Sequence, residues 1–497
     1  MWQRGEGKRD IMGRDVKPIL TVKGGRIMMK GGKIMKGSIK SILAVLASIF
    51  LAMSLFSCGG GGGGGTFAGG GITTSTLSGT AATGKPLASV VVYLKDSKGK
   101  EISTTTDASG KFSFDTTGLT PPFYLKTQNP TSQELLFSYT DQKSGTANIT
   151  PLSTAVVAVA NNGNADIYTN PPSQLNLDNA RNSLKNLLSP VLQKYGVQNA
   201  DFITTPFDAN GQGMDAVIDR VKISINKDQI TNNTIIEIKD STTNETIATG
   251  KISNGKANPS HRYFAYIKDD YGSPEYGPIM VDVVEGDNGQ ISATMTAIEG
   301  DTGDLLLISG NGTKSGNSIS FTASVIMCSD TNENGTGTAE FTGTIDANGN
   351  ITGTFTNTLS AGDTCRENKS NIYKGTWRAE DVTNASPANV AGTYDVDSVA
   401  TLQIAQNGIS INVSITDING TFTRSGQGIV YGNYVMFKVP IIMCHDTDPN
   451  AQAEYATFFG KFDSKTNTIS GIYGDGIPPG DSCREGSAEG FWRATKR

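Results

Sequence analysis

Histidine is scarce in this sequence, with only two residues, His261 and His445, among 497. A catalytic zinc site usually takes histidines together with a carboxylate, and a catalytic triad needs a histidine beside its nucleophile. The sequence contains no His-x-x-Glu motif, Gly-x-Ser-x-Gly motif, dinucleotide glycine fingerprint or phosphate loop. We therefore predict that the chain is not an enzyme, with a hydrolase built from paired carboxylates as the less favoured alternative.

Charged residues are also few, at 18%, whereas glycine is abundant, at 59 residues. This composition favours turn-rich β structure over helical bundles. Basic residues are concentrated in residues 1–57, and from Cys58 onward 44 acidic residues outnumber 31 basic ones. An acidic chain without a basic patch argues against nucleic acid as a partner.

The apolar run from Ile42 to Phe56 has about 15 residues, fewer than the ~20 that a membrane-spanning helix needs. It follows Lys36 and Lys40, which is the organisation of a secretory signal. The last residues of this region, Leu55-Phe56-Ser57-Cys58, resemble the lipobox of bacterial lipoproteins. The resemblance implies cleavage before Cys58, lipidation of Cys58 and attachment to a membrane through this N-terminal lipid.

We assign residues 1–57 to the signal region, with residues 1–34 as a mis-assigned start, because they have no apolar period. Residues 58–71 then form a lipidated, glycine-rich tether that cannot bury a core. The lipoprotein resemblance further implies outer-membrane transport, because glycine rather than aspartate follows the lipidated cysteine. It leaves open whether the protein occupies the periplasmic or the surface-exposed face.

Residues 72–145 alternate between apolar and polar positions, with turn signals between the short runs. Two segments, residues 79–90 and 105–112, resemble the carboxypeptidase regulatory-like domain, a transthyretin-like β-sandwich. Asp107 and Gly110 suit a turn, and Phe112 and Phe114 share one strand face that can enter a core. The resemblance implies a sandwich fold that acts as a stalk or folding aid, not a carboxypeptidase zinc site.

Residues 146–255 are predicted to form a helical connector with a few strands. Pro151 can begin a helix that stops at Asn161-Asn162-Gly163, and leucines at three- and four-residue steps predict a second helix from Leu177 to Val191. Ser189-Pro190 can end that helix and begin another. A last short helix is expected from Met214 to Val221.

An internal repeat occupies the C-terminal part of the chain, with copies at residues 256–380 and 388–497. The matched segments are Ile326-Met327-Cys328 with Ile442-Met443-Cys444, Cys365-Arg366-Glu367 with Cys483-Arg484-Glu485, and Trp377-Arg378-Ala379 with Trp492-Arg493-Ala494. Each copy reads as a series of short strands with hairpin turns, and such a meander closes most easily into an up-and-down barrel. The predicted fold class is mainly β: an N-terminal β-sandwich, a helical connector and two disulfide-closed, barrel-like repeats.

Four cysteines lie in the repeats, an even number in a chain with export signals. Their places in the two copies favour the disulfides Cys328–Cys365 and Cys444–Cys483, each worth up to roughly 4 kcal/mol in the chain-entropy model. A zinc site is the rival interpretation, but no C-x-x-C element accompanies them.

Two loops beside these cysteines share an Asp-x-(Asn/Asp)-x-Asn spacing that can point alternate oxygens at a hard cation. Their candidate calcium ligands are Asp330, Asn332 and Asn334 in copy one, and Asp446, Asp448 and Asn450 in copy two. The alternative is an Asx-rich loop without metal. A similar spacing at Asp208 and Asn210 is explained as well by helix capping. No other cofactor is expected.

These features predict a lipid-anchored, exported bacterial protein for non-catalytic surface binding, adhesion or display. The partner would be a polymer, a protein or a small ligand, and the duplication would raise avidity. In the alternative, the barrels carry a small apolar ligand in their interiors. That hypothesis places Val413, Ile415, Met436 and Phe437 on the inner wall of the second barrel.

Overall fold

The computed structural model describes residues 75–172, 175, 177–270, 272, 274–298, 305–326, 336–358, 372–420, 423–441, 454–474 and 489–497. The fold is mainly β: of the residues that the structure describes, 55% lie in strands and 10% in helices, and the strands include two closed eight-stranded antiparallel barrels. The prediction of a mainly β chain is confirmed. No helix in the described ranges is long and apolar enough to cross a membrane.

The first seven strands form two small sheets that share one hydrophobic core. The sheet orders are β4-β1-β7 and β3-β2-β5-β6. The strands are β1 (Thr76–Thr80), β2 (Val91–Lys95), β3 (Glu101–Thr105), β4 (Lys111–Asp115), β5 (Phe123–Gln128), β6 (Leu135–Thr140) and β7 (Gly145–Thr146).

Strand β4 shows how the sequence pattern produces this core. Its residues alternate between exposed and buried, and the rings of Phe112 and Phe114 meet edge to face with centroids 5.9 Å apart. The turn before it is held by Asp107, whose carboxylate accepts hydrogen bonds from the backbone of Ser109 and Lys111, while Gly110 has φ 75°. The predicted turn and the predicted inward face are both confirmed.

Four helices follow: α1 (Pro151–Ala160), α2 (Leu177–Leu187), α3 (Ser189–Lys194) and α4 (Met214–Arg220). Helix α1 begins with a capping box, in which Thr150 and Ser153 exchange side-chain and backbone hydrogen bonds, so two orphan N–H groups are satisfied. The break between α2 and α3 falls where Ser189-Pro190 predicts it. Helices α1 and α2 bury their apolar residues in the same core as the two sheets.

Strands β8 (Val221–Lys227), β9 (Thr234–Asp240) and β10 (Thr246–Ser253) form antiparallel hairpins that continue into the long strand β11 (Lys256–Asp269). Ile236, Ile238 and Ile252 belong to the core that contains the helices. The first part of β11 pairs with β10, and the rest pairs with β12 and β18. The connector strands are therefore an extension of the first barrel's sheet.

Barrel one is closed by the pairing of β11 with both β12 and β18. Gly286 leads into a single 3-10 turn, Asp287–Gly289. Its remaining strands are β12 (Tyr276–Glu285), β13 (Gln290–Ile298), β14 (Leu305–Ser315), β15 (Ser318–Ile326), β16 (Thr336–Ile345), β17 (Ile351–Thr358) and β18 (Ile372–Asp381).

Barrel two is closed by the pairing of its first strand with its last. Residues 423–431 form one continuous strand, in which Gly426 and Gly428 continue the ladder instead of interrupting it. The strands are β19 (Gly392–Val396), β20 (Ala400–Asn407), β21 (Ser410–Asp417), β22 (Thr423–Tyr431), β23 (Tyr434–Ile441), β24 (Glu454–Asp463), β25 (Thr468–Gly474) and β26 (Glu489–Lys496).

Candidate functional site

Four aromatic rings fill the interior of barrel one. Phe321 and Phe341 stack with centroids 4.9 Å apart, and Phe355 stacks on the other side of Phe341 at 5.9 Å. The indole of Trp377 stands edge-on to Phe321 and Phe341, at 5.9 and 5.5 Å. Edge-to-face and offset-stacked pairs are the favoured aromatic geometries, so this cluster makes a well-packed centre.

Barrel two has the same cluster at the matching positions of the repeat. Phe437 stacks on Phe458 at 4.8 Å, Tyr473 stacks on Phe458 at 5.8 Å, and Trp492 stands edge-on to both phenylalanines. The Trp492 Nε1–H donates to the Phe459 carbonyl at 2.9 Å. In barrel one, Trp377 Nε1–H donates to the Thr342 carbonyl, also at 2.9 Å. The two sequence repeats therefore also share the geometry of their aromatic cores.

A pair of facing glycines lies beside each tryptophan. Gly343 and Gly353 are register partners in barrel one, as Gly460 and Gly471 are in barrel two. A Cβ added to Gly460 would lie 2.8 Å from the Trp492 ring and 2.7 Å from Ile469. At Gly343 and Gly460 the indole occupies the space that a side chain would fill, whereas at Gly353 and Gly471 a Cβ would meet the backbone of the facing strand.

One of the proposed inner-wall positions is wrong. Val413, Ile415 and Phe437 are buried in the core of barrel two, whereas Met436 belongs to the cluster that contains the core residues of barrel one. Neighbouring residues in a strand point to opposite faces, so Met436 and Phe437 cannot both point inward. Met436 contributes to the contact between the barrels.

The two barrels pack through an apolar contact centred on two stacked rings. Phe264 of barrel one and Tyr434 of barrel two are nearly parallel, with an interplanar angle of 7° and centroids 4.2 Å apart. The other barrel-two residues in this cluster are Ile429, Met436, Phe459 and Ile472. They come from strands β22 to β25, and they project from the outer face of barrel two.

A buried arginine ties three parts of the chain together at the edge of this contact. Arg262 of β11 pairs with Asp282 of β12 at 2.7 Å and with Asp228, after β8, at 3.0 Å. Its guanidinium also lies over the ring of Tyr431 in barrel two, 4.6 Å from the centroid. Burial opposes ionisation of Asp228, but Arg262 outweighs it and holds the pKa of that carboxyl below its usual value.

A second ionic group lies beside the Tyr434 ring, with the Lys461 ammonium 5.1 Å from its centroid. Lys461 of barrel two donates to both oxygens of Glu380 in barrel one, at 2.5 and 2.7 Å. Arg378 pairs with Glu275 at 2.8 Å. Burial, and then the nearby Tyr266 and Glu380, raise the pKa of Tyr434, so its ring enters the contact as a neutral phenol.

The outer face of barrel one carries in-register rows of hydroxyl side chains. Cross-strand pairing aligns Thr313, Ser320, Thr342 and Thr354 on β14 to β17. A second row consists of Ser315, Ser318, Thr344 and Thr352. A shallow groove of about 400 Å³ runs between these rows, and Ile319, Gly343 and Gly353 are the other residues that line it.

Five of these eight positions are occupied in barrel two by residues buried against barrel one. When the repeats are aligned on their aromatic clusters, Thr313, Ser318 and Ser320 correspond to Ile429, Tyr434 and Met436. Likewise, Thr342 corresponds to Phe459, and Thr354 to Ile472. The other three positions hold Tyr431, Lys461 and the exposed Ser470 in copy two. Most of this face is thus apolar and buried in copy two, but hydroxylated and mostly exposed in copy one.

The duplicated faces are therefore not equivalent. The hypothesis that duplication raises avidity assumes a binding surface on each copy, but the copy-two counterpart of the hydroxyl rows is largely occupied by the barrel contact. Sequence reasoning missed this asymmetry, although the Thr-Gly-Thr segments at residues 342–344 and 352–354 carried a signal for the hydroxyl rows.

The remaining sequence-predicted site residues lie outside the described residues. These are the lipidation site Cys58, the cysteines Cys328, Cys365, Cys444 and Cys483, and the calcium candidates Asp330, Asn332, Asn334, Asp446, Asp448 and Asn450. Within the part of the chain that the structure describes, no group of three or more His, Cys, Asp or Glu side chains is arranged to hold a metal ion.

The Asp208 loop is described, and its side chains make local contacts. Asp208 pairs with Lys111 at 2.7 Å, and the Asn210 side chain accepts a hydrogen bond from the backbone N–H of Gln212. Asp215 in the first turn of α4 accepts from the backbone N–H of Gly211. These contacts hold the loop before α4, but they do not cap the helix, whose N-cap Gly213 has no side-chain capping hydrogen bond.

His261 makes two carboxylate contacts that the sequence did not indicate. Its Nδ1 lies 3.2 Å from Asp381, and its Nε2 lies 3.6 Å from Glu285, which in turn pairs with Lys314. Burial opposes ionisation of Asp381, while hydrogen bonds from His261 and Thr383 lower its pKa. The contacts join strands β11, β12, β14 and β18 at one end of barrel one.

Comparison with known proteins identifies no family. No protein-family model and no curated protein matches the chain. Among solved structures, the chain is matched with Aeromonas veronii immune modulator A at 10% identity and a TM-score of 0.19, over 48% of this chain and 94% of that one. A TM-score this low carries no argument about fold or function.

Proposed function

We propose that this chain is an exported, lipid-anchored protein that displays a joined pair of β-barrels for non-catalytic surface binding or adhesion. The observation that carries this proposal is the hydroxylated outer face of barrel one, because the equivalent face of barrel two is already used for an internal contact. Each chain then offers one such face.

The barrel interiors support binding on an outer surface. In each barrel, four aromatic rings and a tryptophan N–H hydrogen bond occupy the centre. Protein interiors packed in this way leave few voids larger than a water molecule. The outer faces are then the available surfaces for a partner.

The location follows from the resemblances. The lipobox-like segment ending at Cys58 supports lipidation and outer-membrane attachment, and residues 58–71 would serve as the tether. Two sheets with a common core at residues 76–146 support a transthyretin-like stalk between the tether and the barrels. We further propose that the two disulfides form within the repeats and that the loops beside them bind calcium.

Localisation can be tested on intact cells that express the full chain. We expect radiolabelled palmitate to be incorporated into the chain, and Cys58→Ser to abolish incorporation and release the protein into the soluble fraction. Cys483→Ser, another cysteine replacement, should leave labelling intact. A chain that stays in the membrane without lipid after Cys58→Ser would overturn the proposed anchor.

Display can be tested on the same cells with an added protease that cannot enter them. Cleavage of the barrels in intact cells supports surface display. Cleavage only after the outer membrane is opened would place the barrels in the periplasm and overturn an adhesive role.

A further inference from the structure

The geometry points to the outer face of barrel one as a binding surface for a neutral, polyhydroxylated polymer, that is, an uncharged polysaccharide. The inference rests on the proposed surface-binding function and names its site and partner class. The surface consists of the two hydroxyl rows, Thr313, Ser320, Thr342 and Thr354 with Ser315, Ser318, Thr344 and Thr352, and we call it the hydroxyl face.

The hydroxyl face is a regular lattice. Antiparallel pairing places the four members of each row directly opposite one another on adjacent strands, about 4.8 Å apart. The two rows are separated by two residues along each strand, which is roughly 6.7 Å. A shallow, open groove lies between them on the sheet surface.

The side chains of this face select the chemistry of the partner. A hydroxyl group both donates and accepts hydrogen bonds, as the hydroxyls of a sugar do. No charged side chain lines the groove. Anionic partners are recognised through arginine, lysine or backbone N–H groups, and an apolar segment would leave the hydroxyls unpaired on burial. A neutral polyol satisfies the same groups without leaving a charge or an orphan donor.

The hydroxyls already interact across the strands. Thr342 and Thr354 are 3.1 Å apart, oxygen to oxygen, and Thr313 and Ser320 are 3.3 Å apart. Cross-strand pairs of this kind hold the side chains in fixed rotamers, so less entropy is lost when a ligand hydroxyl joins them. Behind the face, Trp377 donates to the Thr342 carbonyl and anchors that strand to the core.

The second repeat argues that these hydroxyls are not imposed by the fold. Five of the eight scaffold positions hold isoleucine, tyrosine, methionine or phenylalanine in barrel two, where they contact barrel one. The chemistry of the outward side chains therefore matches the chemistry of the surface that contacts them. In barrel two the partner is apolar protein; in barrel one the side chains fit a hydroxylated partner.

The test uses the purified full chain without its signal region and measures retention on immobilised neutral polysaccharides, namely cellulose, amylose and mannan, beside anionic alginate. The test variant is Thr342→Val with Thr354→Val, which removes two hydroxyls and keeps a β-branched side chain. The matched control is Thr416→Val with Thr423→Val, an exposed cross-strand pair in barrel two whose oxygens are 2.9 Å apart.

We expect retention on at least one neutral polysaccharide, and a loss of about tenfold in affinity for the test variant but not for the control. Equal circular dichroism spectra and melting temperatures of the three proteins would exclude misfolding. Equal loss in both variants, retention on alginate alone, or no retention on any of these polymers would overturn the assignment. Because this assay needs no membrane, its failure is separable from failure of the anchor and display experiments.

Discussion

The rings of Phe264 and Tyr434 lie parallel, 4.2 Å apart, and they belong to different barrels. This stack is flanked by two ionic groups, one around Arg262 and one around Glu380. Each barrel closes on itself, yet one hydrophobic cluster contains core residues of barrel one and outer-face residues of barrel two. This cluster and the ionic groups beside it hold the two repeats together.

Truncation of the stacked tyrosine should uncouple the barrels. Tyr434 is 1% exposed, so Tyr434→Ala removes a buried ring and leaves a cavity, at a cost of about 3 kcal/mol or more. Chemical unfolding of the full chain, followed by intrinsic fluorescence, measures this change. Tyr455→Ala, at a tyrosine that is 39% exposed, is the control and should cost less than about 1 kcal/mol. Equal costs would mean that the stack does not stabilise the pair.

Removal of the buried arginine should destabilise the chain in a pH-dependent way. In Arg262→Met, Asp228 and Asp282 remain without their cation. Breaking a buried ion pair in this way lowers the free energy of unfolding by roughly 3–5 kcal/mol at neutral pH. In the wild type, the folded pKa of Asp228 lies below its unfolded value, so its contribution to stability is present above about pH 4 and is lost as pH falls.

The difference in unfolding free energy between wild type and Arg262→Met should therefore be largest near pH 7 and shrink below about pH 4, where the orphaned Asp228 carboxyl can protonate. Urea unfolding of both proteins at pH 7 and pH 3 checks this. Arg497→Met, which breaks an exposed pair with Asp395, is the control and should show a small difference at both values. A deficit that does not change with pH would contradict the role assigned to Asp228.

Local signals in the sequence predicted the elements well. Helix α1 begins at Pro151 and ends before Asn161, and Ser189-Pro190 separates α2 from α3. The meander pattern predicted closed barrels. These succeed because turn residues, helix caps and strand alternation act over a few residues. The repeat also predicted that the tryptophans occupy equivalent places.

The candidate site was harder to predict, because it depends on register between distant strands. Thr313 and Thr354 join one row only because β14, β15, β16 and β17 pair in a particular register. Strand alternation predicts that Met436 and Phe437 point to opposite faces, but it does not predict which face contacts another domain. The burial of Met436 depends on barrel one, whose surface is not encoded in the local pattern.

The proposed disulfides predict a specific result for unreduced protein. Peptide mapping should recover Cys328 linked to Cys365 and Cys444 linked to Cys483, because each pair lies within one repeat. Reduction should then lower the free energy of unfolding by up to roughly 4 kcal/mol per bridge. Cys328→Ser with Cys365→Ser should reproduce the loss for one repeat and leave the second bridge intact. Recovery of a cross-repeat peptide would show that the pairing inferred from the repeat is wrong.

The glycines beside the tryptophans should not tolerate a methyl group. In Gly460→Ala, the new Cβ would lie 2.7 Å from Ile469 and 2.8 Å from Trp492; in Gly343→Ala, it would lie 2.6 Å from Ile351 and 3.3 Å from Trp377. Overpacking of this kind costs about 1–3 kcal/mol, and the larger cost is expected for Gly460, whose added Cβ would have two side-chain contacts under 3.0 Å where that of Gly343 would have one. Tryptophan fluorescence during urea unfolding reports the change.

The control for these two variants is Gly286→Ala, since Gly286 has φ −102° and nothing within 3.5 Å of an added Cβ except the Gln290 carbonyl oxygen at that distance. We expect this replacement to change the unfolding free energy by less than about 0.5 kcal/mol. If Gly460→Ala were as stable as the Gly286→Ala control, the indole would not be confined by the glycine pair. The shared geometry of the two cores would then not explain why both repeats have glycine there.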